Sequence, residues 1–497
     1  MELQFQKRES TCLQPIIRET KQTELTQELR LSDAMPDAGR ILGVWGQPMI
    51  RSKQWSGDQI TISGGVMAWV LYAPEDGSEC RSVDLWVPFQ MRWDIPAGEP
   101  DGIIRVNPVL RFADGRSVSA RKFMVRMGLS VHMEAYCPMH YEFCEPGEVP
   151  EDVHILRRTY PLRMVKTFGE KIFTVDEEVA LPDQQTISKL LRYTVRPEII
   201  EKKVMGDKVI FRGNLNLNLL YRDESGEICS REEDIPFSQF DQMEEPVSGE
   251  GTVDVQILVT GLELDLQDQR LYLKCSLAAQ CLIEEENMVE LVQDAYGINR
   301  DVKITEEILS LPVILEQRMD SYSAEQVMQG KSGQVLDVTF TADCPKHHLG
   351  TGAGEQQLSG VFHVIYRTGD ERIQNALVRW ESQKSLPVGE GCTVDGMVIG
   401  QGKIRTMETG EGISFSVPIQ VQTQTTINQG LKMITGLELG QVQEPDPNRP
   451  SLILCRPGRE NLWSLAKRCG STVGAIHRAN NMADDISENR ILLIPIS

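Results

Sequence analysis

Residues 214–227 read NLNLNLLYRDESGE. Leu215, Leu217 and Leu219 alternate with three asparagines, which is the period of a strand with one buried face and one wet face. The polar Glu224-Ser225-Gly226-Glu227 that follows Tyr221 has the composition of a hairpin turn. The same alternation returns in Val253-Asp254-Val255-Gln256-Ile257, in Ile413 to Val417 and in Ile419 to Gln422. Such a chain is expected to be mainly β, with antiparallel sheets packed as sandwiches or barrels. Few helices are expected in it: Thr23 to Leu31 and Ile304 to Leu309.

Outward from that stretch, the chain repeats itself. Pro197, Gly206-Asp207, Gly213, Leu220-Tyr221 and Pro236-Phe237 have earlier counterparts in Pro48, Gly57-Asp58, Gly64, Leu71-Tyr72 and Pro88-Phe89. Arg270-x-Tyr272 likewise answers Arg121-x-Phe123. A steady offset over this length marks tandem copies of one supersecondary unit. A third copy shows in Leu358 to Tyr366 and in Ile413 to Val417, without the Pro-Phe step. Each copy opens on a proline beside apolar residues (Pro15-Ile16, Pro161-Leu162, Pro312-Val313), and Glu134-Ala135-Tyr136 is echoed by Asp294-Ala295-Tyr296. Repeats are placed at 13–150, 158–300 and 308–436, each large enough for its own core. Residues 441–450 (QVQEPDPNRP) read as a linker.

The last segment, 451–497, has a different pattern. An apolar run, Leu452 to Leu454, precedes a Pro457-Gly458 turn. Leu462, Leu465, Ala466 and Cys469 then form a helical stripe. Gly470-Ser471-Thr472 breaks that helix and caps a second one, which ends at Asn480-Asn481. Ile491 to Ile494 is a closing strand, so the order is β-α-α-β. This segment carries a net +2, while the 450 residues before it carry −23 of the total −21. An acidic body argues against nucleic acid or anionic lipid as its partner. No run is long and apolar enough for a transmembrane helix. The N-terminus lacks the apolar core of a secretory signal, and the eleven cysteines are scattered and odd in number. A reduced, cytoplasmic setting is expected.

Two resemblances follow from these residues. Pro457-Gly458, Leu462-Trp463-x-Leu465-Ala466, Gly470-x-Thr472-Val473, Ala479-Asn480 and Ile491-x-Leu493-x-Pro495 make 451–497 similar to a LysM domain. The strand-Leu-Tyr-turn-Gly unit, the Pro-Phe step and the Asp-Ala-Tyr connector make 13–436 resemble SPOCS repeats of Firmicute spore-coat proteins. Tandem SPOCS-like repeats before one LysM-like domain look like the clostridial spore-coat morphogenetic proteins that bind the coat's basement-layer ATPase. The resemblance implies a non-enzymatic assembly protein that needs no cofactor, sits in the mother-cell cytoplasm and is recruited to the forespore surface. It implies the coat ATPase and other coat proteins as partners. The alternative is a LysM domain that grips peptidoglycan or another N-acetylglucosamine polymer. In either case the candidate binding residues lie in and beside two loops: Arg459, Glu460, Asn461 and Trp463, then Asn481, Asp484, Asp485 and Ile486.

A search for chemistry returns little. No P-loop, G-x-S-x-G or H-E-x-x-H occurs. Glu284-Glu285-Glu286 reads as a solvated run rather than a general-acid site. Cys137, His140 and Cys144, with His154, have zinc-compatible residue types, but reduced thiols and a surface histidine are the simpler reading. No metal site is assigned.

Overall fold

The computed structural model describes the chain except residues 1, 4, 97–101, 180–185, 244–250, 331–332, 350–353, 370–371, 445–448, 457, 459, 482–490 and 497. After a short β1 (Glu2–Leu3) come β2 (Phe5–Arg30), β3 (Ala38–Ser56), β4 (Gln59–Pro74), β5 (Arg81–Asp94), β6 (Ile103–Ser119) and β7 (Lys122–Pro146). Strands β3, β4 and β5 form an antiparallel meander, while β2 and β6 flank β7 in a second sheet. The order recurs in β8 (Val153–Val179), β9 (Ile187–Met205), β10 (Lys208–Asp223), β11 (Ile228–Gln242), β12 (Thr252–Gln267) and β13 (Arg270–Gly297). It recurs again, with two strands divided, in β14 (Val302–Gln329), β15 (Gln334–Ala342), β16 (Lys346–Leu349), β17 (Gly354–Arg367), β18 (Ile373–Leu386), β19 (Cys392–Gln401), β20 (Arg405–Thr409) and β21 (Gly412–Leu439). We term these the first, second and third blocks.

In each block the meander packs on the other sheet, as alternation requires. Ile60, Ile62 and Trp93 meet Phe123, Val125 and Leu129 in the first block; Phe211, Leu215 and Leu217 meet Leu271, Leu273 and Leu277 in the second. Each such fully buried side chain contributes roughly 1.5–3 kcal/mol. The repeated glycine has a steric cause. Gly64 and Gly213 lie opposite Phe89 and Phe237 across the strand pair. A Cβ would fall 2.1 Å from the carbonyl oxygen of Met49 or of Glu198, and 3.0 or 2.8 Å from the facing ring.

Several expectations are corrected. Thr23 to Arg30 and Ile304 to Leu309 are not helical: they belong to β2 and β14, paired along their length with β7 and β21. Leu25 and Leu29, like Ile304 and Ile308, are four residues apart. That spacing suits both a helical turn and a pleat, so pairing decides. The partner of Phe123 is Leu271 rather than Tyr272: both are fully buried, whereas Tyr272 is exposed, and a one-residue slip exchanges the faces of a strand. The Glu284 run is not a solvated face. Glu284 is buried, 2.6 Å from Arg163 and accepting from Gln424 at 2.8 Å. Glu134-Ala135-Tyr136 and Asp294-Ala295-Tyr296 are not equivalent either, since the first lies mid-strand in β7 and the second at the end of β13.

Long ribbons join the blocks. Strand pairs β2–β7, β8–β13 and β14–β21 each carry a bulge, at Ile16, Lys166 and Leu315, which increases local twist. They share a core in which Tyr141 and Phe143 of the first block meet Leu162 and Leu291 of the second and Leu311 and Met433 of the third. Above that core, His132, Gln280 and Gln422 hold the same register position, opposite Asn107, Gln256 and Met397. Each reaches a neighbouring block. Gln280 exchanges two hydrogen bonds with the Val106 backbone (3.0 and 2.9 Å), Gln422 donates to Asp254 (3.2 Å), and His132 faces Asp395 at 3.0 Å. The contacts run second to first, third to second and first to third.

Charged groups complete this seam. Arg105 bridges Glu134 (3.1 Å) and Asp254 (2.5 Å), and Lys202 reaches Asp254 at 3.2 Å. Arg192 of the second block, fully buried, meets Asp337 of the third through both guanidinium nitrogens at 2.7 and 3.2 Å. The first block's Trp45 lies against that guanidinium and stacks on His363.

Candidate docking module

The C-terminal segment folds as β22 (Leu452–Cys455), α1 (Leu462–Cys469), α2 (Val473–Asn480) and β23 (Leu492–Pro495), with β22 antiparallel to β23. Local sequence explains each boundary. Asn461 caps α1 by accepting the Ser464 N–H (2.8 Å), and Gly470 ends it with φ at 63°, a value that favours glycine. Thr472 caps α2 by accepting the Ala475 N–H (2.9 Å), and Asn481 closes it in the left-handed region. Leu465, Ala466, Ile476, Leu492 and Ile494 form the core. The buried Asn480 fastens α2 to β23, donating to the Leu493 carbonyl and accepting the Leu493 N–H at 2.6 and 2.8 Å.

Of the eight candidate binding residues, four are described. Arg459, Asp484, Asp485 and Ile486 lie outside the described residues. Asn461 and Asn481 serve as helix caps, and exposed Glu460 pairs with Arg468 at 2.8 Å. Trp463 faces the body of the molecule. Its indole N–H donates to Asp294 (2.8 Å), and Lys467, one helical turn on, donates to the other Asp294 oxygen at 2.7 Å. The Trp463 ring meets Tyr296 edge-on with centroids 4.8 Å apart, and the Tyr296 hydroxyl donates to the Ser471 carbonyl at 2.8 Å. Partial burial opposes the Asp294 charge, but Lys467 and the indole outweigh it and hold the carboxyl below its ordinary range. The Asp-Ala-Tyr connector therefore seats the module.

That seat decides which side of the module remains available. Along β22 and β23, Ile453 and Cys455 turn inward toward Leu492 and Ile494. Leu452 and Leu454 turn outward and are 51% and 69% exposed, next to their register partners Pro495 and Leu493. Sequence reading missed this face. The signal was the continuous Leu-Ile-Leu run: a strand covered on one side only needs apolar residues at alternate positions. The Cys137, His140 and Cys144 set is not assembled. All three lie on β7, and separations of three and seven residues send His140 and Cys144 to the face opposite Cys137. His154 packs beside Tyr296, ring centroids 5.4 Å apart.

Residues 186–267 match the family model described as "SipL, SPOCS domain". They span β9 to β12, the meander of the second block and the strand after it. The chain thus carries a SPOCS domain in a fold that is mainly β. No curated protein and no solved structure matches it. No helix among the described residues is long and apolar enough to cross a membrane.

Proposed function

We propose that this chain is a non-enzymatic assembly protein of the spore envelope. In this reading three SPOCS-like blocks form a rigid body, and the LysM-like module docks on the morphogenetic ATPase of the coat at the forespore surface. The SPOCS match carries the reading. It falls in one block of a chain whose other two blocks share the same strand order. The module supports it further. Its α1 face is occupied by Asp294 and Tyr296, while Leu452 and Leu454 present an apolar surface of the kind a protein partner buries. Loss of one such leucine from the centre of an interface costs about 1–2 kcal/mol or more.

Co-purification with the coat ATPase tests the reading. The full chain is expected to retain the ATPase, and Leu454→Asp and a chain ending at residue 450 to lose it. Equal retention by all three would reject docking through the module. Binding of chitin oligomers by the full chain, abolished by the truncation, would favour the N-acetylglucosamine alternative.

A further inference from the structure

Among the described residues, one group places three metal-ligating side chains within reach of one another: His132, Glu134 and Asp395, with ligand atoms within 4.8 Å. His132 and Glu134 project from β7 of the first block, two residues apart and so on one face; Asp395 comes from β19 of the third. We propose that His132 Nε2, one oxygen of Glu134 and one of Asp395 form a zinc site that joins the first block to the third.

The imidazole is already oriented. Its Nδ1 is bonded to the Thr20 hydroxyl at 3.0 Å, which turns Nε2 to the carboxylates. A partner on the far nitrogen is how proteins fix a ligating histidine. Nε2 is buried, 3.0 Å from Asp395 Oδ2 and 3.9 Å from Glu134 Oε1, without the alignment of a hydrogen bond. Two atoms bound to one tetrahedral zinc lie about 3.3 Å apart, so the three ligand atoms, which lie within 4.8 Å of one another, would draw inward around the ion. Two arginines compete with zinc for Glu134. Arg105 sits on the other Glu134 oxygen at 3.1 Å, and Arg18 stands 3.6 Å from the first. Asp395 uses its second oxygen on the Gly396 N–H at 2.8 Å. Beside Glu134 and Asp395 lies a void of about 20 Å³, lined by four carboxylates (theirs, Asp254 and Glu284) and by the Arg105 guanidinium. It has room for one water beside the two carboxylates.

The sister positions sharpen the argument. Gln280 and Gln422 clasp their neighbouring blocks with amide hydrogen bonds. Only the first block places an imidazole there and points it at two carboxylates.

The full-length chain, stripped with chelator, is titrated with zinc chloride, desalted and assayed for metal and melting temperature. About one zinc per chain and a raised melting temperature are expected, with affinity lowered about 100-fold or more in His132→Gln and in Asp395→Asn. Glutamine occupies both sister positions, so His132→Gln should fold, as circular dichroism will verify. No retained zinc would overturn the proposal. So would equal retention by both variants, which would put the ion on cysteine thiols or on the surface.

Discussion

Two joints hold this molecule together, and they are built differently. The joint among the three blocks is wide and buried. It combines a shared apolar core at Tyr141, Leu162 and Leu311 with Arg192–Asp337, Arg105–Asp254 and the three clasps. The joint between the second block and the C-terminal module is narrow, resting mainly on Asp294, Tyr296 and the helix α1 that carries Trp463 and Lys467. Buried charges that lose a partner are costly, because nothing else solvates the one left behind. A part-exposed carboxylate can turn to water instead. The blocks should therefore unfold together, and the module should release alone.

The largest effect should come from the wide joint. Asp337→Ala leaves the fully buried Arg192 without its carboxylate and is expected to cost about 3–5 kcal/mol, read as a lowered urea midpoint of the whole chain. Gly213→Val forces a side chain into the space between the Glu198 carbonyl and the Phe237 ring. It should cost about 1–3 kcal/mol or more, visible in the same unfolding curve. A small change in Asp337→Ala would mean that the blocks are held by something other than this seam, whereas Gly213→Val reports on packing within the second block.

Acid should weaken the wide joint through His363. Burial first, and then the nearby Arg192, push its imidazole down to about 3. An unfolded histidine titrates near 6.5. Between those values the unfolded chain binds the extra proton, so stability is complete above about pH 6.5 and declines as pH falls toward 3. His363→Phe should flatten that part of the stability profile measured by denaturant at successive pH values.

The smallest global effect belongs to the narrow joint. Trp463→Ala removes a hydrogen bond and an edge-on ring contact, together about 1–2 kcal/mol. It should raise hydrogen exchange in α1 and around Tyr296 while leaving the urea midpoint of the blocks in place. Asp294 adds a pH signature. Its carboxyl is held low, so its contribution is full above about pH 3.9 and is lost as pH falls through the lowered folded value. Asp294→Asn should remove that acid release in the same exchange experiment. A Trp463→Ala chain that unfolded as readily as Asp337→Ala would erase the distinction between the joints.

Much of the fold was legible because its causes are local. Leu215, Leu217 and Leu219 marked a strand face without any knowledge of the partner strand, and Gly226 marked its turn. Thr472, in the Gly470-Ser471-Thr472 break, marked the start of the second helix, whereas the Asn461 cap of the first showed only in the fold. The sites were less legible. Cys137, His140 and Cys144 are near in sequence, but a pleated strand separates their side chains. His132 and Asp395 are far apart in sequence, and pairing across blocks brings them within 3.0 Å. Four of the eight docking candidates fall outside the described residues, and Trp463 is turned toward Asp294 rather than toward solvent.

By itself the sequence determined the β character of the body, the positions of its hairpins and the β-α-α-β order of its end, because alternation, turns and caps act over a few residues. Tertiary structure decided the rest. It made strands of Thr23–Arg30 and Ile304–Leu309, whose apolar spacing fitted either period. It buried Glu284 against Arg163, linked the three blocks through His132, Gln280 and Gln422, and used the Asp-Ala-Tyr connector to turn the module's apolar sheet outward. Each of those outcomes depends on which distant residue comes to lie opposite, and only the folded chain settles that.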